Sequence, residues 1–268
     1  MAPLALVTGA SSGIGRACAT HLSGLGYEVL AGVRNESDAP PGTAPVRLDV
    51  TSEEDVGAVA GRVGTHLAAL VNNAGIAITG PVEAVPVQEW RRQMEVNLLG
   101  QVAVTRALLP ALLRARGRVV NLSSIGGRVA GPLFGPYAAS KFALEAMTDS
   151  LRREVAQFGV RVVSVEPGGI ATPIWDKGLR DAGRVIGEMP EEARRRYSGL
   201  IASVSRQAQE MSRHGLAPEA VAEVVGRAIT ARRPRTRYVV GRDAKVQAAL
   251  ARLLPDRAFD ALIARAFR

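Results

Sequence analysis

The stretch TGASSGIG, residues 8–15, decides how this chain folds. It follows a short apolar run, Leu4–Thr8, and it opens a segment with helical periodicity, Gly13–Gly24. Glycines permit a tight turn and a close approach of the backbone to a ligand, and the free N–H groups at the start of a helix attract negative charge. The stretch therefore predicts a strand, a turn and a helix that together hold a phosphate group.

The alternation of strand and helix patterns continues along the whole chain. Seven short apolar runs, most of them rich in β-branched residues, are typical of strands buried on both faces. These runs are Leu4–Thr8, Glu28–Val33, Val46–Leu48, Ala68–Val71, Arg118–Leu122, Val160–Val165 and Arg237–Val240, and the helical segments are Gly13–Gly24, Ser52–Gly64, Val87–Ala115, Pro136–Phe158 and Pro218–Ala231. We therefore predict an α/β fold, a single Rossmann-type, doubly wound parallel sheet of about seven strands with helices on both faces.

Two segments lie outside this alternation. Residues 170–215 separate the last two predicted strands, and residues 243–268 follow the last strand as a basic amphipathic tail. We predict one domain over residues 1–242 with a substrate lid at about 170–215, and a helical C-terminal appendage over residues 243–268. An apolar stripe in the lid is expected to roof an apolar pocket; it comprises Tyr197, Leu200, Ile201, Val204, Ala208 and Met211, with Val129, Leu133, Phe134 and Met147 as further lining.

Composition argues against several other classes of protein. The chain has 34 basic and 25 acidic residues, but the basic residues are mostly scattered arginines, so no nucleic-acid partner is predicted. No apolar stretch of about 18 residues occurs, which predicts no stable membrane insertion. The N-terminus has no secretory signal pattern, and the single cysteine, Cys18, fits a reducing compartment, so we expect a cytoplasmic protein.

The glycine spacing, read together with the rest of the chain, resembles that of the short-chain dehydrogenase/reductase family. The resemblance covers nearly all of residues 4–240. It rests on seven motifs in the family's order: Thr8–Gly15, Asp49-Val50, Asn72-Asn73-Ala74-Gly75, Asn97, Ser123-Ser124, Tyr137-x-x-x-Lys141 and Pro167-Gly168-x-x-x-Thr172. Within the family, Ser11-Ser12 and Val33-Arg34 are most similar to the group that includes 17β-hydroxysteroid and retinol dehydrogenases.

Tyr137 and Lys141 lie four residues apart at the start of a predicted helix, so they share one face. A neighbouring ammonium would lower the pKa of a phenol from about 10 and allow it to exchange a proton with a carbonyl oxygen. The resemblance makes Tyr137 the acid, Lys141 its partner and a cofactor ligand, and Ser124 the donor to the substrate oxygen. From position alone, Ser123 and Ser124 also suit a turn or a helix cap. The resemblance further implies that Asn97 distorts its helix and holds a water molecule that relays protons to Lys141.

The residue after the second strand indicates the cofactor. An acidic residue there normally binds the adenosine ribose of NAD, but this chain has Val33 and then Arg34, whose guanidinium suits the 2′-phosphate of NADP(H). Glu36, two residues later, is an acidic residue that would instead favour NAD. No metal site is predicted. The cofactor-binding residues that the resemblance implies are Gly9, Ser11, Ser12, Gly13, Ile14, Gly15, Arg34, Asp49, Val50, Asn73, Ala74, Gly75, Tyr137, Lys141, Pro167, Gly168 and Thr172.

The resulting hypothesis is an oxidoreductase that transfers a hydride between NADP(H) and a ketone, aldehyde or secondary alcohol, with carbonyl reduction of a bulky apolar substrate favoured. One alternative is a redox sensor that binds NADP(H) without catalysis, because a fold alone does not establish an activity. A second alternative is a membrane-surface protein that uses the basic tail. Since the tail is expected to cover the edge near the last strand, we expect a homodimer, or a monomer, and not a tetramer.

Overall fold

Seven parallel strands form one sheet in the computed structural model, which describes residues 2–267. The strands are β1 (Leu4–Thr8), β2 (Glu28–Val33), β3 (Ala44–Arg47), β4 (Ala69–Asn72), β5 (Arg118–Leu122), β6 (Arg161–Pro167) and β7 (Arg237–Val240). Their order is β3-β2-β1-β4-β5-β6-β7, so the winding of the sheet reverses between β1 and β4. In such sheets ligands bind at the carboxyl ends of the strands beside this reversal. The predicted fold class is confirmed.

Helices cover both faces of the sheet, which is why its central strands are mostly apolar. The helices are α1 (Gly13–Gly24), α2 (Glu53–Val63), α3 (Val87–Met94), α4 (Gly100–Ala115), α5 (Gly135–Val155), α6 (Ile174–Glu188), α7 (Glu191–His214), α8 (Pro218–Thr230), α9 (Arg242–Leu253) and α10 (Asp256–Ala266). In β1, Val7 packs with α1 and α8 on one face, whereas Leu6 packs with α2 and α4 on the other. Both residues are fully buried.

The lone cysteine lies in the first of these two helix layers. Cys18, on α1, is fully buried in the cluster formed by β1, α1 and α8. Burial raises the pKa of its thiol to about 12, since the thiolate is poorly solvated there. Leu22, one turn later, and Val225, on α8, are buried in the same cluster and fix α1 against α8. The Cys18 thiol is therefore a packing group.

The segment predicted as one long helix, Val87–Ala115, is divided in the structure. A π-helical turn over Glu95–Leu99 separates α3 from α4. The whole run has the length and mean hydropathy, 1.5, of a membrane span, but 44% of its most apolar window is buried inside the protein. It also buries the polar side chains of Gln93, Asn97 and Gln101. The run packs against the sheet as part of the protein core.

The predicted lid and tail are helical. The lid consists of α6 and α7, and the tail consists of α9 and α10. The tail is tied to the rest of the protein at three points: the Asp243 carboxylate accepts a hydrogen bond from the Gly169 N–H at 3.0 Å, Gln207 on α7 donates to the carbonyl of Ala266 at 2.9 Å, and the Phe267 ring lies against Gly131. The tail thus contacts the lid and the loop before α5 as well as following β7.

Candidate active site

The glycine turn forms one wall of the site. Gly13 has a φ of +54°, a conformation that glycine adopts without strain and that other residues rarely adopt. A Cβ on Gly15 would collide with the carbonyl oxygen of Gly9, so α1 can begin this close to β1 only with glycine there. The turn therefore keeps backbone N–H groups at the start of α1 open to a phosphate group.

The side chains of Asn73 and Thr8 hold the glycine turn against the end of β4, the strand beside β1 in the sheet. The amide of Asn73 donates hydrogen bonds to the carbonyls of Thr8 and Gly9, at 2.9 and 3.2 Å. The hydroxyl of Thr8 accepts hydrogen bonds from the backbone N–H groups of Asn73 and Ala74, both at 3.0 Å. The Asn73 side chain is thus engaged in positioning the turn, and the residue was expected to line the ribose side of the cofactor.

Arg34 and Asp49 lie at the far end of the cleft. Arg34 is exposed just after β2, while Val33, the residue before it, is buried. The Asp49 carboxylate accepts hydrogen bonds from the N–H and hydroxyl of Thr51 at 3.0 and 2.7 Å. Burial alone would raise its pKa, but these hydrogen bonds and the charge of Arg34 outweigh burial and lower the pKa of Asp49. A cation and an anion therefore stand at fixed positions beside the second strand.

Ser124 and Tyr137 meet at the carboxyl end of β5. The Ser124 hydroxyl accepts a hydrogen bond from the Gly126 N–H at 3.0 Å, which caps the short 3-10 turn Ile125–Gly127. Burial raises the pKa of the Tyr137 phenol above its ordinary value, and a hydrogen bond with Ser124 offsets only part of this effect. The expected lowering of this pKa by Lys141 is therefore wrong for the protein alone, and the phenol is protonated at neutral pH.

Lys141 is anchored to the last residue of β5. Its ammonium donates a hydrogen bond to the carbonyl of Leu122 at 2.7 Å and lies 5.9 Å from the centre of the Tyr137 ring. Burial lowers its pKa to about 8, and the carboxylate of Glu145, one turn later on α5, opposes that shift. Lys141 is thus a buried cation whose charge is sensitive to pH near the physiological range.

A buried network of ion pairs lies behind Lys141. Arg237 of β7 donates to Glu145 at 3.0 Å and lies 3.3 Å from Glu166 at the end of β6. Glu166 is fully buried and also pairs with Arg128 at 2.6 Å. Arg128 follows the Ser124 turn and Glu166 precedes Pro167, so this network joins the segments that carry the candidate catalytic and cofactor residues.

Asn97 lies in the π-helical turn, as the expected distortion of its helix requires. Its amide oxygen accepts a hydrogen bond from the Ile76 N–H at 2.9 Å, and its amide nitrogen donates to the Ile76 carbonyl at 3.0 Å and to the Ser140 hydroxyl at 3.2 Å. These contacts fix the segment after β4 against α5. The role of Asn97 in holding a water molecule stays a prediction.

The loop after β6 crosses over the glycine turn. Thr172 is largely buried, and its side chain lies directly against Gly13. Asp243 of the tail lies against Gly168 and bonds the N–H of Gly169, so the start of α9 holds the start of this loop. Sequence analysis assigned no role to Asp243, since a single acidic residue in a tail carries no motif.

One cleft of about 870 Å³ gathers these elements at the carboxyl ends of the strands. All the sequence-predicted site residues line it except Gly15, which lies behind the turn; they are Gly9, Ser11, Ser12, Gly13, Ile14, Arg34, Asp49, Val50, Asn73, Ala74, Gly75, Asn97, Ser124, Tyr137, Lys141, Pro167, Gly168 and Thr172. Residues without a predicted role also line the cleft, among them Ile76, Ala77, and Lys177 and Arg180 on α6. The only available signal for the last two was a pair of basic residues three positions apart in the lid.

An apolar recess adjoins the cleft beneath the lid. Its lining includes Leu133 and Phe134 from the loop before α5, and Leu179, Ile201 and Val204 from α6 and α7. Ala77, Ile174, Trp175 and Gly178 line both the recess and the cleft. Of the expected lining, Ala208 also belongs to it. The expected place of the others is wrong: Met147 packs in the core with α2 and α4, and the recess is not lined by Val129, Tyr197, Leu200 or Met211.

Comparisons with known proteins agree with this geometry. The model of the short chain dehydrogenase family matches residues 3–182. NADPH-dependent 3-dehydrocapnine reductase of Ornithobacterium rhinotracheale is 36% identical, with 96% of this chain and 94% of that protein covered. Retinol dehydrogenase 5 of Mus musculus is 40% identical, with 96% and 86% covered.

Two solved structures show the same fold. A short chain dehydrogenase from Burkholderia cenocepacia, in complex with NADP, is 30% identical with a TM-score of 0.77, and the alignment covers 100% of this chain and 98% of that one. A short chain dehydrogenase/reductase from Burkholderia phymatum, in complex with NAD, is 25% identical with a TM-score of 0.78, over 93% and 92%. Since the family model spans more than half of the chain and the relatives cover nearly all of it, this protein belongs to the short-chain dehydrogenase/reductase family of oxidoreductases, within its retinol dehydrogenase-like group.

Proposed function

We propose that this protein is an NADP(H)-dependent carbonyl reductase for bulky apolar ketones or aldehydes. The observation that carries the proposal is the convergence of Ser124, Tyr137 and Lys141 on the floor of the cleft, beside the glycine turn. A redox sensor would need the turn but would have no chemical use for a buried acid and a buried cation at that place. Fold alone would not decide between the two possibilities.

The cleft suits the phosphate groups of a dinucleotide cofactor. The glycine turn brings the backbone N–H groups at the start of α1 to the wall of the cleft, and Thr172 closes the opposite side of the turn. Arg34 is exposed at the place where an acidic residue would favour NAD. Asp49, Asn73 and the remaining predicted residues complete the proposed cofactor site. NADPH, when bound, supplies the hydride.

The side chains of the floor supply the proton. Since burial keeps the Tyr137 phenol protonated at neutral pH, it is set to donate to a carbonyl oxygen that accepts a hydride at its carbon. Ser124 orients that oxygen, and the Lys141 ammonium stabilises the phenolate that remains. A protonated phenol is the form that carbonyl reduction needs, and this favours reduction over alcohol oxidation.

The apolar recess supports the substrate class. Trp175, Leu179 and Ile201 line an apolar recess of about 30 Å³ that shares lining residues with the cleft, and Phe134 lies edge-on to Tyr137 with ring centres 6.4 Å apart. A ketone whose oxygen lies at Tyr137 would direct an apolar substituent toward this recess, which would have to widen to hold a bulky one. We propose that residues 170–215 act as the substrate lid, with residues 1–242 as the catalytic domain and residues 243–267 as its appendage.

We also propose a cytoplasmic homodimer. The support for a dimer is that Leu99 and Phe142 are 47% and 44% exposed around the α4 and α5 helices, where an apolar surface calls for a partner. Light scattering should give a dimer mass for the natural protein and a monomer mass for Phe142→Arg. A tetramer of the natural protein would contradict the proposal.

The activity is tested by following NADPH oxidation over ketones and aldehydes of increasing apolar bulk. We expect turnover that improves with bulk, and little turnover with NADH. Tyr137→Phe is the matched control, because it removes one oxygen and should still bind NADPH. Binding of NADPH without turnover of any carbonyl compound would favour the redox sensor.

A further inference from the structure

We propose that Lys177 and Arg180 of the lid form a cationic clamp on the pyrophosphate of the bound cofactor. This inference rests on the proposed cofactor site. Both side chains line the same cleft as Ser12 and Gly13, although they lie more than 160 residues away in the chain. They also lie three positions apart on α6, so they share one side of that helix.

The start of α6 places these cations near the glycine turn. The side chains of Thr172 and Pro173 are within contact distance of the position that a Cβ would take on Gly13. The N–H of Lys177 donates to the carbonyl of Pro173 at 3.1 Å, so Lys177 stands one turn above that contact. The glycine turn is where a pyrophosphate would meet the N–H groups of α1, and the clamp would meet the same group from above.

The pairing of charges around α6 singles out the same two residues. Arg184 pairs with Glu89 at 2.8 Å, and Asp181 pairs with Arg92 at 3.4 Å, which ties α6 to α3. Within residues 2–267, Lys177 and Arg180 form no ion pair, and both are exposed toward the cleft. Ion pairs thus hold the helix while two cations stay available for an anion.

Arg34 does not make this clamp redundant. It follows β2, where the adenosine end of a dinucleotide binds, whereas Lys177 and Arg180 line the cleft from α6, which begins just after the Thr172 and Pro173 side chains that lie against Gly13. Arg34 should therefore contact the 2′-phosphate, whereas Lys177 and Arg180 should contact the pyrophosphate. A fragment that carries only one of these phosphates separates their roles.

The test compares binding of NADPH and of adenosine 2′-monophosphate by calorimetry, with no substrate present. Lys177→Gln/Arg180→Gln should weaken NADPH binding by about five- to tenfold per charge removed and reduce its dependence on salt, while adenosine 2′-monophosphate binds unchanged. Arg34→Ala should weaken both ligands. Lys245→Gln, on the tail, is the matched control and should weaken neither.

Several results would overturn the clamp. An unchanged NADPH affinity in the double variant would do so, including when the KM of the carbonyl substrate rises, because the two cations would then bind substrate. Equal weakening of both ligands would place the cations at the 2′-phosphate instead. If the natural protein binds neither NADPH nor NADH, the proposed function itself fails, which is distinguishable from a failure of the clamp.

Discussion

The floor and the roof of the cleft are built in different ways. The floor consists of strand ends and the turns after them, together with the π-helical turn and the start of α5, and side chains such as Asn73 and Asn97 each make several hydrogen bonds to neighbouring backbone. The roof consists of α6 and α7, where partly exposed residues such as Ile201 lie beside buried ones such as Val204. Its ion pairs, such as Arg196 with Glu83 at 2.9 Å, lie on the surface.

This difference separates two kinds of function. Proton transfer needs groups held within a fraction of an ångström, and buried hydrogen bonds supply that rigidity. Substrate selection needs a surface whose shape can change without disturbing the chemistry, and exposed ion pairs contribute little to stability. Substitutions in the floor should therefore alter the rate of reaction, and those in the roof should alter the choice of substrate.

The strongest test of this comparison is Tyr137→Phe. We expect kcat to fall about 10²- to 10⁴-fold, because the proton donor is lost, while the dissociation constant of NADPH stays within about twofold. Turnover and fluorescence titration measure the two quantities. Activity retained above a few per cent would show that another group donates the proton.

Arg34→Asp tests the far end of the floor. The change removes a partner for the 2′-phosphate and supplies an acceptor for a ribose hydroxyl, so the ratio of kcat/KM for NADPH to that for NADH should fall by about 100-fold. Arg206→Asp, on the outer side of α7, is a control for the change in net charge. A ratio that stays constant would mean that Arg34 does not contact the cofactor.

A smaller effect is expected from pH. The folded-state pKa of Lys141 is lowered from 10.5 to about 8, so its ammonium is present below pH 8 and is lost as the pH rises through that value. NADPH binding should therefore be strongest below pH 8 and weaken by up to about tenfold for each pH unit above it. Lys141→Met should bind weakly and lack this inflection. An unchanged affinity between pH 7 and pH 9.5 would contradict the role of Lys141 as a cofactor ligand.

The smallest expected effect lies in the roof. Ile201→Ala removes part of the lining of the apolar recess, so the KM for a bulky ketone should rise by about three- to tenfold while kcat changes little. A small ketone measured in parallel should show no change in KM. A large loss of kcat with both ketones would mean that roof and floor are more tightly coupled than their contacts indicate.

The sequence predicts the floor far better than the roof, and the reason is physical. The bounds predicted for β1, β2, β5, β7 and α1 are confirmed, because continuous apolar runs and glycine turns are local signals. β6 was predicted to stop at Val165 but continues to Pro167, because its last residues pair with β7. An apolar pattern does not predict that a strand extends over a charged residue and a proline, even when both pair with the neighbouring strand.

Contacts between distant segments account for what the sequence did not reveal. Asp243 accepts a hydrogen bond from Gly169 across 74 positions, and Lys177 lines the same cleft as the glycine turn only because α6 folds over that cleft. The pKa of Tyr137 was predicted in the wrong direction, since spacing puts Lys141 on the same helix face but does not show that its ammonium is directed at Leu122. The burial that raises the pKa of Tyr137 depends on contacts from the whole fold, which spacing along the sequence does not show.

Because Cys18 is buried, the reactivity of its thiol should report when α1 separates from the sheet. A thiol reacts as the thiolate, and a pKa of about 12 leaves almost none at neutral pH while α1 stays closed. Alkylation would therefore proceed only in molecules whose first helix has separated from the sheet. Because α1 begins at the glycine turn, NADPH should slow this labelling in proportion to how far binding stabilises the closed form. The rate of thiol labelling would thus measure cofactor binding in the absence of any substrate, by mass spectrometry, through the single cysteine of the chain.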